Sequence, residues 1–473
     1  MEKQVYNPFL PSYEYIPDGE PHIFGDRVYL YGSHDKFNGT DYCMNPYVCW
    51  SAPVDDLSSW KYEGIILDKG MDPLDPEGNK LYYAPDVAQG KDGRYYLYYS
   101  IEGSCCISVA VCDTPAGKYK FHGHVQDQDR HVLGSAEGDA YQFDPGIFVD
   151  DDGRCYLYSG GNSLFADEDQ GRKRVGAMVM ELEDDMMTVK SMPEIITSNK
   201  EKAFEENQYF EAPSVRKVNG LYYFIYSSFP NVHNLCYATS PYPDRDFTYR
   251  GVIISNADIF TDNKERNKAM SYCGNNHGSF IQIKGQWYIF YHRHSNRDGY
   301  NRQACAEKIF FLEDGTIPQV ELTSCGLNDG DLAEVGTYEA RIACNMASKE
   351  GVPLLVLTYD ENHPYFTQEG EDREENGNQY IANFQDGATA GYKYFQFAEA
   401  NRFRIKIRGE ATGKILVTHH LGGEVCASVI ITPSEEWQNY ETAFSPEKGR
   451  QPVFITFQGT GVIDILEFEF KKV

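Results

Sequence analysis

One pattern, written five times, restricts this chain more than any other feature. "GDRVYLYGS" (25–33), "KDGRYYLYYS" (91–100), "DDGRCYLYSG" (151–160), "NGLYYFIYSS" (219–228) and "KGQWYIFYHR" (284–293) share one form. Each sets a Gly- or Asp-containing turn before apolar and aromatic residues, the signal of an antiparallel hairpin. Aligned on the Tyr after the turn (Tyr29, Tyr96, Tyr156, Tyr223, Tyr288), the copies lie 67, 60, 67 and 65 residues apart. A hairpin recurring at a long period, with no helical periodicity between copies, specifies a β-propeller. The expectation is an all-β chain whose residues 1–325 form five blades.

The 473 residues leave room for a second domain. After a linker at 326–333 the repeat stops. Residues 334–473 alternate in short strands, "RFRIKIRG", "KILVTHH", "CASVIIT", "PVFITFQG" and "VIDILEFEF". Period-two alternation with Gly-containing connections reads as an antiparallel β-sandwich. The acidic stretch "QEGEDREENGNQ" (368–379) reads as a solvated loop.

Stepping back 10 to 12 residues from each aligned Tyr reaches Asp18, Asp86, Asp144, Glu211 and His277. The first strand of a propeller blade lies nearest the axis, so these five side chains are expected to meet in one central pocket. Acidic residues are frequent here, 71 of 473, and chance alone would put some of them in register. Carboxylates facing one pocket suit glycoside hydrolysis, in which one protonates the leaving oxygen and another acts on the opposite face of the sugar. Mutual repulsion raises the acid's pKa, so that it keeps its proton near neutrality.

The formal charge of −28 argues against nucleic acid or an anionic membrane as partner and suits a neutral ligand. Tyr is abundant, 36 residues, and its flat face packs on sugar C–H groups while its hydroxyl stays wet. No apolar stretch approaches the roughly 20 residues of a membrane helix. "MEKQVYNPFLPSYEY" shows no signal peptide. The twelve scattered cysteines read as unbridged thiols, mostly buried, and the expected location is cytoplasmic.

"FDPGIFVDDDGRCYLYSG", "YFEAPSVRKVNGLYYFIYSS" and "GNNHGSFIQIKGQWYIFYHR" resemble the blade motifs of glycoside hydrolase family 43, over roughly residues 6–325. The resemblance implies a five-bladed propeller that cleaves arabinose and xylose linkages with inversion. It implies Asp18 as general base, Asp144 as the residue that raises the acid's pKa, and Glu211 as general acid. The family usually reads Asp-Pro at the base, whereas this chain reads Pro17-Asp18-Gly19-Glu20-Pro21. Asp18 keeps the spacing of the other blades, which leaves Glu20 as a surface or loop carboxylate. Asp86 would shape the sugar pocket. Arg302 would either donate to substrate hydroxyls or pair with surplus acid groups. His277 would contact substrate and, through water, a calcium ion at the axis; the chemistry itself needs no cofactor.

The closing "PVFITFQGTGVIDILEFEF" resembles the end of a family 6 carbohydrate-binding module, with Trp437 and Tyr440 as its obvious aromatic cluster. The implied activity is an α-L-arabinofuranosidase acting from chain ends on hemicellulose fragments, with a β-xylosidase second. A retaining fructosidase would show a Glu-Cys acid, and this chain reads Glu211-Ala212-Pro213. A propeller that only binds sugar is the contrasting class.

Overall fold

The computed structural model describes residues 4–162, 167–198, 204, 207–230, 232–260, 268–355, 361–375 and 377–473. Among the described residues its named regular elements are β-strands and a short 3-10 turn at Ala340–Ile342. Among the described residues no helix is long and apolar enough to cross a membrane.

Each repeated hairpin supplies the first two strands of an antiparallel meander. The first sheet runs Glu20–Phe24, Arg27–Tyr31, Tyr47–Pro53 and Lys61–Leu67; the second begins with Tyr82–Gln89 and Tyr95–Ile101. The third begins with Gly146–Val149 and Cys155–Gly161, and a small hairpin at 168–173 is inserted before its third strand. The fourth begins with Asn207–Val218 and Leu221–Pro230. The fifth holds three strands, Phe280–Ile283, Gln286–His294 and Arg302–Ile309. The alternating apolar residues of these strands pack between sheets, one cluster to each successive pair. Tyr31, Tyr47, Leu97 and Tyr99 join the first sheet to the second. Val28 and Leu30 pack with Phe290 and Ala306, which joins the fifth back to the first.

The first strands approach one another closely. A Cβ on Gly146, in the third sheet, would lie 2.0 Å from the Pro213 carbonyl oxygen of the fourth, and at the fifth sheet one on Gly278 would lie 1.9 Å from that of Phe290. Glycine is needed at both positions for close backbone approach. A parallel bridge between Gly19 and Gly278 links the first sheet to the fifth.

Two six-stranded sheets follow, starting at Leu332–Ala333, which pairs with Thr389–Phe397. Arg402–Gly409, Ala411–Thr418, Val425–Ile431, Gly449–Gly461 and Ile463–Lys471 coincide with the alternating runs of the sequence. The inward residues of both sheets form one apolar cluster, with Tyr392, Phe395, Phe403, Phe468 and Phe470 at its centre. The twelve cysteines form no disulfide, and eight of them are buried.

Candidate active site

Backbone register identifies the equivalent positions of the five first strands. Glu20 pairs with Tyr31, Asp86 with Tyr98, Gly146 with Tyr158 and Ser214 with Ile225. In the fifth sheet the N–H of Phe290 donates to Ser279 O. Glu20, Asp86, Gly146, Ser214 and Ser279 therefore form one layer around the axis. Two residues earlier on each chain lie Asp18, Ala84, Asp144, Ala212 and His277, the layer at the mouth. Of the mouth layer, Asp18, Ala84, Asp144 and His277 line a common cavity.

Four of the mouth residues are left-handed without being glycine: Asp18 (φ 56°), Ala84 (43°), Asp144 (48°) and Ala212 (62°). This conformation costs on the order of 1 kcal/mol per residue and persists where surroundings impose it. Those surroundings are visible. Ser33 Oγ accepts the Ala84 N–H at 2.8 Å, Ser100 Oγ that of Asp144 at 3.1 Å, and His292 Nδ1 that of Asp18 at 3.2 Å. Each acceptor lies on the neighbouring sheet, two residues past the position paired with the inner layer.

Asp18, Asp144, Glu211, His277 and Arg302 line one cavity of about 330 Å³. Glu211 stands one residue before Ala212, so its carboxyl enters beside the mouth layer. Tyr42 and Cys43 form one wall, and Tyr83 and Phe143 form another with ring centroids 5.9 Å apart. Asp169 and Gln170, from the small inserted hairpin, reach the rim, where Arg174 pairs with Asp169 at 2.6 Å and lies over the Tyr141 ring.

Asp86 does not join this group. It is in the deeper layer, fully buried, with Oδ1 accepting from His22 Nε2 at 2.6 Å and from the Val87 N–H at 2.8 Å. Its Oδ2 accepts the Ile147 N–H at 2.7 Å. With both oxygens committed it braces the axis, and the expected substrate contact is corrected. Glu20 is likewise no surface carboxylate: it is 1% exposed and accepts from Arg216 Nη2 at 2.7 Å and from Ser214 Oγ at 3.1 Å. Arg302 is buried in a fork against Asp35, Nε to Oδ2 at 2.9 Å and Nη2 to Oδ1 at 3.0 Å. Its remaining Nη1 donates to Asp18 Oδ1 at 3.1 Å. Asp35 and His292 escaped sequence reasoning, although Asp35 closely follows the first aligned hairpin strand and His292 lies within the fifth.

The electrostatics separate the carboxyls. Burial pushes Glu211 well above the usual carboxylate range, and the charges of Asp144 and Asp18 push it further. Burial also raises Asp144, with Asp18 adding to the effect against the opposing His277. Both shifts run upward, so these two carboxyls retain a proton between them near neutrality. Burial disfavours a charged His277, but Glu20, Asp18 and Asp144 outweigh it and push its pKa up to about 9.

The groups around His277 do not fit a calcium ion held through that residue. The carboxylate facing His277 Nε2, at 3.7 Å, is Glu20, whose other oxygen is taken by the Arg216 guanidinium. A cation there would face the Arg216 guanidinium and a ring nitrogen, whereas calcium takes six to eight oxygen ligands. Glu20, His22 and Asp86 do bring ligand atoms within 4.8 Å of one another, but the hydrogen bonds to Asp86 already use both its oxygens.

Comparison with known proteins gives a consistent neighbourhood. Residues 7–317 match the family "Glycosyl hydrolases family 43". A "Xylosidase/arabinosidase" of Thermoclostridium stercorarium is 48% identical over 476 residues, covering 99% of each chain. Among solved structures, the arabinoxylan arabinofuranohydrolase of Bacillus subtilis in complex with cellotetraose aligns over 100% of this chain and 98% of its own. Its TM-score is 0.53 at 22% identity, a likeness of fold. A β-xylosidase/α-arabinofuranosidase from a compost microbial metagenome, in complex with xylotriose and calcium-free, aligns over 67% of this chain and 98% of its own. Its TM-score is 0.53 at 26% identity.

Proposed function

The chain belongs to glycosyl hydrolases family 43, and from that premise we propose an inverting glycosidase that removes terminal α-L-arabinofuranosyl units from arabinoxylan- or arabinan-derived oligosaccharides. The observation that carries this reading is the convergence of Asp18, Asp144 and Glu211 on one cavity, with Glu211 held protonated by burial and by its neighbours' charge. In the proposed roles Glu211 protonates the leaving oxygen and Asp18 takes a proton from the attacking water. Asp144 keeps the acid protonated, and an acid and a base so placed supply about 10²–10⁴-fold each. Arg302 holds the Asp18 carboxylate in place, and its guanidinium and His277 offer donors to sugar hydroxyls.

Five sheets joined cyclically by apolar clusters support a five-bladed propeller as the catalytic unit. The paired six-stranded sheets support a sandwich beyond the 326–333 junction. Twelve free thiols support a reducing, cytoplasmic setting.

The rim residues Glu102, Gly103 and Gln170 are exposed, unlike the buried floor. This supports a leaving group that stays in water, such as a backbone bearing an arabinofuranosyl branch. A β-D-xylosidase is the second reading, favoured by the 48% identical relative, whose name carries both activities. Release of the leaving group from aryl α-L-arabinofuranoside and aryl β-D-xyloside, with Glu211→Gln as control, decides between them. Turnover of neither by the parent protein would overturn the reading in favour of another glycoside substrate or a propeller that only binds.

A further inference from the structure

The described residues of the acidic stretch 368–379 form a loop with Glu369, Glu371, Glu374 and Glu375 exposed, as the sequence reads, but Asp372 and Arg373 reach from it across to the first sheet and its loops. Asp372 Oδ1 accepts the backbone N–H of Phe37 at 2.7 Å, and its Oδ2 accepts Asn45 Nδ2 at 2.9 Å. Those two groups are the ends of the segment 37–45, which carries Tyr42 and Cys43 to the cavity wall. Next to it, Arg373 Nη1 donates to both oxygens of the buried Glu14 at 2.7 and 2.8 Å. Gln368 Oε1 accepts from the Tyr15 hydroxyl at 2.7 Å.

We propose that Asp372, contributed by the C-terminal unit, is a positioning residue for the glycosidase site, holding segment 37–45 and through it the pair Asp35–Arg302. For its effect on catalysis this rests on the proposed function. The path is continuous. Asn45, gripped by Asp372, also donates from Nδ2 to the Asp35 carbonyl at 3.0 Å. The Cys43 N–H donates to Asp35 Oδ1 at 2.9 Å. Asp35 grips Arg302, which lies over the Tyr42 ring and donates to Asp18.

Attachment of the C-terminal unit does not depend on Asp372. Lys393 pairs with Asp258 at 2.7 Å and Glu321 at 3.2 Å, and Asn345 Nδ2 donates to Asp258 at 2.8 Å. Both Asp372 oxygens go instead to the two ends of one wall segment. A single carboxylate closing a loop in this way fixes its shape rather than its presence. The C-terminal unit thereby becomes part of the site whether or not it binds sugar itself.

The test compares Asp372→Ala with Glu375→Gln, an exposed change in the same stretch, in the full chain. Amide hydrogen exchange of peptides covering 37–45 is expected to quicken at least tenfold in Asp372→Ala and stay at the parent rate in Glu375→Gln. On the aryl glycoside that the parent hydrolyses, kcat/KM of Asp372→Ala is expected to fall at least tenfold, and adding Asn45→Ala to cost less than on the parent. Unchanged exchange would overturn the proposal. Faster exchange with kcat/KM within twofold of the parent would overturn the positioning role. Exchange reads the contact even if the parent hydrolyses neither glycoside, an outcome that would overturn the proposed function and, with it, the catalytic consequence.

Discussion

His292 Nδ1 accepts the backbone N–H of Asp18 at 3.2 Å, tying the fifth sheet to the left-handed residue that opens the first. With Nδ1 as acceptor, the ring proton sits on Nε2, which faces Asn275 Oδ1 at 3.0 Å. Burial, reinforced by the Arg302 charge, holds His292 well below the usual histidine range, so it stays neutral across the working pH. His292→Asn can offer an oxygen near the Nδ1 position, and His292→Phe cannot. The Phe variant should lose about 10- to 100-fold in kcat/KM and the Asn variant less than about tenfold, because only the former leaves the Asp18 N–H unpaired. Equal losses would mean that the ring acts by packing alone.

The pH profile follows from the raised Glu211 carboxyl beside Asp144. Burial and then Asp144 push Glu211 up to about 8, so the alkaline limb of kcat/KM should fall near that value. Asp144→Asn removes a negative charge that favours the protonated acid. The limb should then move to lower pH by about one unit, since burial, the larger cause, remains. An alkaline limb that moves upward or stays in place would remove Asp144 from the role assigned to it.

The hairpins were legible because turn chemistry and aromatic alternation are local signals, and Tyr29, Tyr96, Tyr156, Tyr223 and Tyr288 do occupy equivalent positions. Depth along the axis was not legible. Register shifts lie between Tyr83 and Asp86 and between Glu211 and Ser214, just 10 to 12 residues before the aligned Tyr. A spacing that loose reaches both layers: Asp18 and Asp144 at the mouth, Asp86 in the inner layer, while Glu20, 9 residues before Tyr29, falls outside it. The contacts of Asp372 and Arg373 with residues more than 300 positions earlier have no local signature.

Stability should carry the imprint of the same site. Glu211 has its folded pKa raised from 4.5 to about 8, so folding favours its protonated form. The associated stability is complete below the unfolded value and is lost as pH rises through the folded one. Glu211→Gln removes a group that must ionise in the interior. It should match the parent in unfolding free energy near pH 4 and exceed it at pH 8 to 9 by about 4 kcal/mol. Urea unfolding at both pH values reads this, and a variant less stable than the parent at pH 8.5 would contradict it.

At the axis, Arg216 and Glu20 form a pair in which the carboxylate is 1% exposed and only 2.7 Å from the guanidinium. Burial works against the Glu20 charge, but Arg216, His277 and His22 outweigh it and lower its pKa to about 2. The stabilisation is therefore present above the unfolded value of 4.5 and is lost as pH falls toward 2. Removing one partner of a buried pair costs about 3–5 kcal/mol, chiefly because the other charge is left uncompensated. Arg216→Met should therefore lose about 3 kcal/mol at pH 7 and less at pH 3. The double variant Glu20→Gln/Arg216→Met should recover part of that loss, since no unpaired carboxylate remains inside. Urea unfolding of the three proteins checks the ordering. If the double variant were no more stable than Arg216→Met, packing of the Arg216 stem would account for the loss and the charge would not.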